Sequence, residues 1–283
     1  MMEIGKVAVL GAGTMGHGIA QVCATAGMSV VMRDLNEEVL ATGLTSIERS
    51  LSKLAEKGKI DTTLRDEARA RVSTTTDLEA AVADADLVVE AIPERMELKV
   101  ETFAFLGQKA PDHAILATNT SSLSVTEIAA ASGSPERVVG LHFFNPVPLM
   151  KLLEVVRGLA TSDATVEAAK AFGARVGKDP IVVKDFPGFA SSRLGVILGC
   201  EAIRMLESGV ASAEDIDKAM KLGYRHPMGP LELTDLVGLD VRLAILDHLH
   251  HELGEQFRAP PLLRQMVRAG KLGRKSGEGF YRY

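Results

Sequence analysis

The sequence predicts an α/β chain: an open, doubly wound sheet first, then a domain built only of helices. Three observations carry this. Short apolar runs without polar alternation recur at residues 6–10, 29–33, 87–92, 114–118 and 138–142, the pattern of parallel strands covered on both faces. Helical stretches separate them and complete a βαβ series. After Lys184 the strand-like runs stop, and nearly everything that follows reads as helix.

The first run leads into "VLGAGTMGHGIAQ", with Gly11, Gly13 and Gly16 in G-x-G-x-x-G order between a strand and a helix. In that setting each glycine has a task. Gly11 permits the tight turn, Gly13 lets a pyrophosphate approach the backbone, and Gly16 lets the helix pack closely on the sheet. Thr14 and Met15 open the helix, whose unpaired N–H groups and positive dipole end suit phosphate. The second run ends at Asp34, eighteen residues past Gly16. A carboxylate there accepts the adenine-ribose hydroxyls and repels a 2′-phosphate, so NAD is expected over NADP. Arg33, next to it, is the residue that would favour a 2′-phosphate. The expected fold is therefore Rossmann-like.

Residues 36–72 do not fit a plain βαβ series. They read as an inserted helix pair with an apolar stripe at Val39, Leu40, Leu44, Ile47, Leu51 and Leu54. Ser50, Lys53 and Lys57 share one face of the first helix, at spacings of three and four. By itself this is a solvated basic face. Farther on, "GLHFFNPVPLMKLLEVV" places His142 and Glu154 in two apolar runs joined by a turn with Pro146 and Pro148. Buried His and Glu are costly unless paired, and a carboxylate-held histidine is suited to proton transfer. "DFPGF" reads as a hinge, with Pro187 suited to the first turn of a helix. Ser212 and Asp215 resemble a capping box. The boundary is set near Asp185, giving domains 1–185 and 186–283.

Bulk properties narrow the class. With 37 acidic and 32 basic residues and a net charge of −5, overall charge gives no support to nucleic-acid binding. Cys23 and Cys200 lack metal or disulfide spacing and read as buried thiols of a reducing compartment. No metal site is expected. No apolar run reaches the length of a membrane span, and the chain opens directly into a strand, without a signal-peptide pattern. A cytoplasmic protein is expected.

Together these stretches resemble the short-chain 3-hydroxyacyl-CoA dehydrogenase family over essentially the whole chain, and within it most closely the bacterial 3-hydroxybutyryl-CoA dehydrogenases. The likeness rests on "VLGAGTMGHGIAQ", "LVVEAIPERMELK", "ATNTSSLSVTEIA", "GLHFFNPVPLMKLLEVV", "EDIDKAMKLG", "HPMGPLELTDLVGLD" and "GRKSGEGFY". The resemblance implies His142 as catalytic base and Glu154 as its holder. It implies Ser121 as a contact to the substrate hydroxyl that also lies beside the cofactor. Glu94, Lys99, Asn145 and Lys275 match cofactor-contacting positions, and Ser50 and Lys57 match coenzyme A contacts, with Lys53 on the same face. An acyl-CoA substrate and a homodimer formed through the helical domain are implied in the same way. Where the family has P-G-F-x-x-N-R, with the Asn on the substrate oxygen, this chain has "PGFASSR" and Ser192. Two other functions compete: a dehydrogenase of a free hydroxy acid, which needs no distant phosphate grip, and a non-catalytic dinucleotide-binding relative, which need not keep both His142 and Glu154.

Overall fold

In the computed structural model, which describes residues 4–283, the first strand, β1 (Lys6–Leu10), lies in the interior of the sheet. Along it, β2 (Ser29–Arg33), β3 (Val72–Thr75), β4 (Leu87–Glu90), β5 (Ile115–Thr118), β6 (Val138–Phe143), β7 (Leu152–Arg157) and β8 (Asp179–Lys184) complete one sheet in the order β3-β2-β1-β4-β5-β6-β7-β8. All neighbours are parallel except β6 and β7. The chain winds outward from β1 in one direction, then returns to its other side. The switch therefore falls between β1 and β4, where open sheets of this kind form a ligand crevice.

Alternate side chains explain why the strands are apolar throughout. Val7 and Val9 face a cluster formed with α1 (Thr14–Thr25), α2 (Glu37–Glu56), α3 (Thr62–Ala70) and α7 (Asp163–Arg175). Ala8 and Leu10 face the opposite cluster, built with α4 (Leu78–Val82), α5 (Met96–Lys109) and α6 (Val125–Ala131). On α2, Leu40, Ile47 and Leu51 of the expected stripe are buried. The inserted pair is α2 and α3, capped by the Asn36 and Asp61 side chains.

The sheet is wider than the apolar runs suggest. Its edges, β3 (VSTT) and β8 (DPIVVK), are polar or largely exposed, so neither carries the signature of a strand buried on both faces.

The chain divides into two compact units at Phe186/Pro187. The second unit contains α8 (Ser191–Glu207), α9 (Ala213–Gly223), α10 (Pro230–Val237), α11 (Leu239–Leu253) and α12 (Pro261–Arg268) around Val196, Ile203, Leu231, Leu246 and Leu263. Ser212 caps α9 by accepting the Asp215 N–H. Pro187 does not stand in a helical first turn, as the sequence suggests. Gly188 and Phe189 both take positive φ, a conformation that a right-handed helix excludes, and α8 starts only at Ser191. Among the described residues, no helix is long and apolar enough to cross a membrane.

Candidate active site

The glycine loop lies between β1 and α1. Gly11 has φ +104°, and a Cβ there would stand 2.6 Å from the Ala91 carbonyl oxygen. A Cβ on Gly16 would stand 1.7 Å from the Gly11 oxygen, so loop and helix interlock only without side chains. Gly13 has nothing within 4 Å of the Cβ position and lines a cavity of about 520 Å³ with Thr14, Met15, Arg33 and Asp34. The start of α1 has no side-chain cap. Open backbone at Gly13, unclaimed helix N–H groups and a carboxylate at the cavity wall fit a dinucleotide. Asp34 also orders the loop: its two oxygens accept the N–H groups of Ala12 and Leu35, each at 2.7 Å. Arg33 donates to the Thr76 carbonyl at 3.2 Å.

A buried charge network stands at the end of β4. Glu90 (0% exposed) accepts from Lys99 Nζ at 2.7 Å, from Ile92 N–H at 2.8 Å and from Thr118 Oγ1 at 2.7 Å. Lys99 Nζ also lies 3.3 Å from Glu94 Oε2. Glu94 Oε1 in turn accepts from Thr120 Oγ1 at 2.7 Å, from Ser121 N–H at 2.8 Å and from Ser121 Oγ at 3.2 Å. Burial opposes ionisation of Glu94, but Lys99, the Thr120 hydroxyl and the Ser121 N–H outweigh it and hold its pKa below the usual carboxylate range. Lys99 is 1% exposed, with its ammonium between two carboxylates, so it meets a ligand only through what it positions.

His142 and Glu154 are register partners across the antiparallel β6–β7 pair. His142 Nδ1 lies 2.7 Å from Glu154 Oε2, with Glu154 0% exposed. An ionised carboxylate only accepts, which places the proton on Nδ1 and the lone pair on Nε2. The Phe144 ring packs against the imidazole at a tilt of 44°, with centroids 4.4 Å apart. Asn145, at the start of the turn after β6, is exposed.

The basic face of α2 lines a cavity of about 410 Å³ with the Pro146–Leu149 turn. Ser50, Lys53 and Lys57 belong to it, and so do Arg49 and Lys59. Ser192 and Lys275 belong to the second unit. Ser192 lies in the first turn of α8, and Lys275 Nζ donates to Asp240 at 2.7 Å.

Several participants escape the sequence analysis. Arg49 and Lys59 flank the basic face. Glu90 stands inside the apolar run 87–92. Asn119 accepts the Phe143 N–H at 2.9 Å, which ties the carboxyl end of β6 to that of β5. Glu90 is the one with a signal, a charge inside a run with no other polar residue.

A dinucleotide cradle and a carboxylate-held histidine on one mostly parallel sheet suit the paired transfer of a hydride and a proton, the work of a nicotinamide-dependent dehydrogenase. Residues 6–186 match the NAD-binding domain of 3-hydroxyacyl-CoA dehydrogenase, and residues 188–283 match the C-terminal domain of the same family. The chain belongs to the 3-hydroxyacyl-CoA dehydrogenase family, and its cofactor is NAD. It is 51% identical to a probable 3-hydroxybutyryl-CoA dehydrogenase of Deinococcus radiodurans, over 98% of this chain and 100% of the relative. It is 45% identical to a 3-hydroxybutyryl-CoA dehydrogenase of Clostridioides difficile, over 98% and 99%. The crystal structure of (S)-3-hydroxybutyryl-CoA dehydrogenase PaaH1 from Ralstonia eutropha superposes with a TM-score of 0.95 at 43% identity, covering 99% of each chain.

The buried ion pair can be tested by stability. Removing one partner of such a pair costs about 3–5 kcal/mol, so Glu90→Ala should lose about that much in denaturant unfolding. The double variant Glu90→Leu/Lys99→Met should recover part of the loss, since neither of the two fully buried charges is then stranded. If Glu90→Ala unfolds at the wild-type midpoint, the network does not hold the end of β4.

Proposed function

We propose that the chain interconverts (S)-3-hydroxybutyryl-CoA, and related 3-hydroxyacyl-CoAs, with the corresponding 3-ketoacyl-CoAs, using His142 and Glu154 as the proton-transfer pair. The observation that carries this is the 2.7 Å contact from Nδ1 to a fully buried carboxylate. The residues of the glycine loop and Asp34 would hold NAD, which would supply the hydride acceptor. His142 Nε2 removes the hydroxyl proton as the hydride leaves the carbinol carbon, and in reverse the imidazolium returns it to the incipient alkoxide. Glu154 fixes the tautomer and stabilises the positive ring. Ser121, fixed through Glu94, is assigned to the substrate oxygen and Ser192 to the same oxygen from α8. Asn145, Glu94 and Lys275 are assigned to the cofactor, with Lys99 positioning Glu94. The basic face of α2 suits the phosphates of coenzyme A and favours an acyl-CoA over a free hydroxy acid. We assign cofactor binding to the first unit and substrate contact and dimerisation to the second, and place the enzyme in the cytoplasm.

His142→Ala should lower turnover by about 10²–10⁴-fold, the usual worth of general acid–base help, with NAD affinity nearly unchanged. Glu154→Gln should lose activity with an altered pH–rate profile. Steady-state NADH oxidation by acetoacetyl-CoA measures both; near-wild-type turnover in His142→Ala would remove that residue from the mechanism.

NADH should be used in preference to NADPH, and Asp34→Ala should narrow the ratio of kcat/KM values. Equal or better use of NADPH by the unsubstituted enzyme would mean that Arg33 overrides Asp34.

Ser192→Asn should raise turnover. An amide reaches farther than a hydroxyl and presents a fixed donor to the oxygen where charge develops. Such donors are worth up to about 10²–10³-fold, and the gain here should be smaller because His142 and Ser121 serve the same oxygen. Kinetics on acetoacetyl-CoA and a longer 3-ketoacyl-CoA decide it. Loss on both would mean that the pocket has repacked around serine.

A further inference from the structure

The Pro148–Leu149 turn, with Leu54 and Lys59, is shared between the basic cavity on α2 and a larger one, of about 620 Å³. The larger cavity is lined by Lys59, Lys151, Arg175 and Lys178, and no aspartate or glutamate lines it. Among the described residues, none of these four cations has a carboxylate at ion-pairing distance, although the chain carries a net charge of −5. Backbone carbonyls hold three of them in place. Lys178, 6% exposed, donates to the Val147 carbonyl and, at 2.8 Å, to that of Met150. Arg175 Nη1 reaches the Ile4 carbonyl at 2.6 Å, and Lys151 Nζ the Gly177 carbonyl at 3.2 Å. Carbonyls orient a cation without neutralising it. Burial, and then Lys151, lower the pKa of the Lys178 ammonium; an anion between them would relieve both effects.

We propose that this cavity binds phosphoryl groups, as a site separate from the glycine-loop cleft and from the basic face of α2. Oriented, uncompensated lysine and arginine donors around a cavity without acidic residues match a phosphate's several acceptor oxygens. The phosphoryl groups come either from the nucleotide end of the acyl-CoA, reaching round the Pro148–Leu149 turn, or from a separate phosphorylated metabolite. The first source rests on the proposed activity; the second does not.

The probe is inorganic pyrophosphate, measured by titration calorimetry with the intact chain. Lys151→Glu and the double variant Lys151→Gln/Arg175→Gln change cations that belong to this cavity alone; Lys53→Gln changes one confined to the α2 face. The first two should weaken pyrophosphate binding about tenfold, a change of about 1.4 kcal/mol, while Lys53→Gln leaves it within about twofold. Unchanged thermal unfolding certifies each fold, and Lys151→Glu, at an exposed position, suffices if the double variant does not fold. Two outcomes support the site and separate the sources. If coenzyme A displaces pyrophosphate, and Lys151→Glu raises KM for acetoacetyl-CoA but not for acetoacetyl-pantetheine, the phosphates are the substrate's own. If pyrophosphate and coenzyme A bind together with KM unchanged, the ligand is a second molecule. No pyrophosphate binding at millimolar concentration, or binding that responds to Lys53→Gln and not to Lys151→Glu, overturns the proposal. The calorimetry needs no turnover, so it can fail while the proposed activity stands.

Discussion

The buried carboxylate of Glu90 is the group on which the site depends. It ends β4, the strand that lies beside β1 at the switch in the sheet, and it is fully desolvated. A lone charge there would be prohibitive. It is tolerated because three donors, from α5, from β5 and from the backbone just beyond β4, converge on its two oxygens. These donors also fix the carboxyl ends of two strands relative to a helix. Through Lys99 the order passes to Glu94, and through Glu94 to the Thr120–Ser121 segment. The segment assigned to the substrate is thus held by hydrogen bonds that start in the interior.

The reversal of one strand does comparable work for the histidine. A parallel neighbour would reach β6 only through a long crossover. The antiparallel β7 returns after a short turn and sets Glu154 directly opposite His142. The pair is carried by two largely apolar strands, whose Leu141 and Val155 pack on the same core. Water is kept from the carboxylate, which strengthens its hold on the imidazole. The same turn carries Asn145 at its start and walls the basic cavity of α2 with its prolines, so one connection borders both the His142–Glu154 pair and the proposed nucleotide grip.

What the sequence discloses, and what it hides, follows from distance along the chain. The glycine loop and Asp34 are legible because the turn, the helix start and the strand end stand within a single βαβ unit. The His142–Glu154 pair is legible as two charges in apolar runs, although only register shows that they meet. The α2 face is legible from helical spacing; its neighbours Arg49 and Lys59 are not, because a cavity wall formed with a distant turn leaves no local pattern. Lys99 looks like one more charge on a helix, yet it is interior, because Glu90, nine positions earlier, draws it inward. The edge strands β3 and β8 are hidden for the opposite reason: half-exposed strands lack the unbroken apolar run that marks a central one. Pro187 misleads because a proline suits both a helix start and the tight turn that precedes α8.

Asp34 carries a consequence for anyone who would redesign the cofactor preference of this enzyme. Its two oxygens hold the Ala12 and Leu35 N–H groups, and each keeps one further lone-pair direction for a ribose hydroxyl. The side chain assigned to discriminate between cofactors is therefore also a strut of the glycine loop. Exchanging it for a small neutral residue, the usual first move toward the phosphorylated cofactor, removes the repulsion and the strut together. On that assignment selectivity and loop order are coupled in one residue, and a redesign must supply a substitute acceptor for Ala12 before it adds a cation beside Arg33.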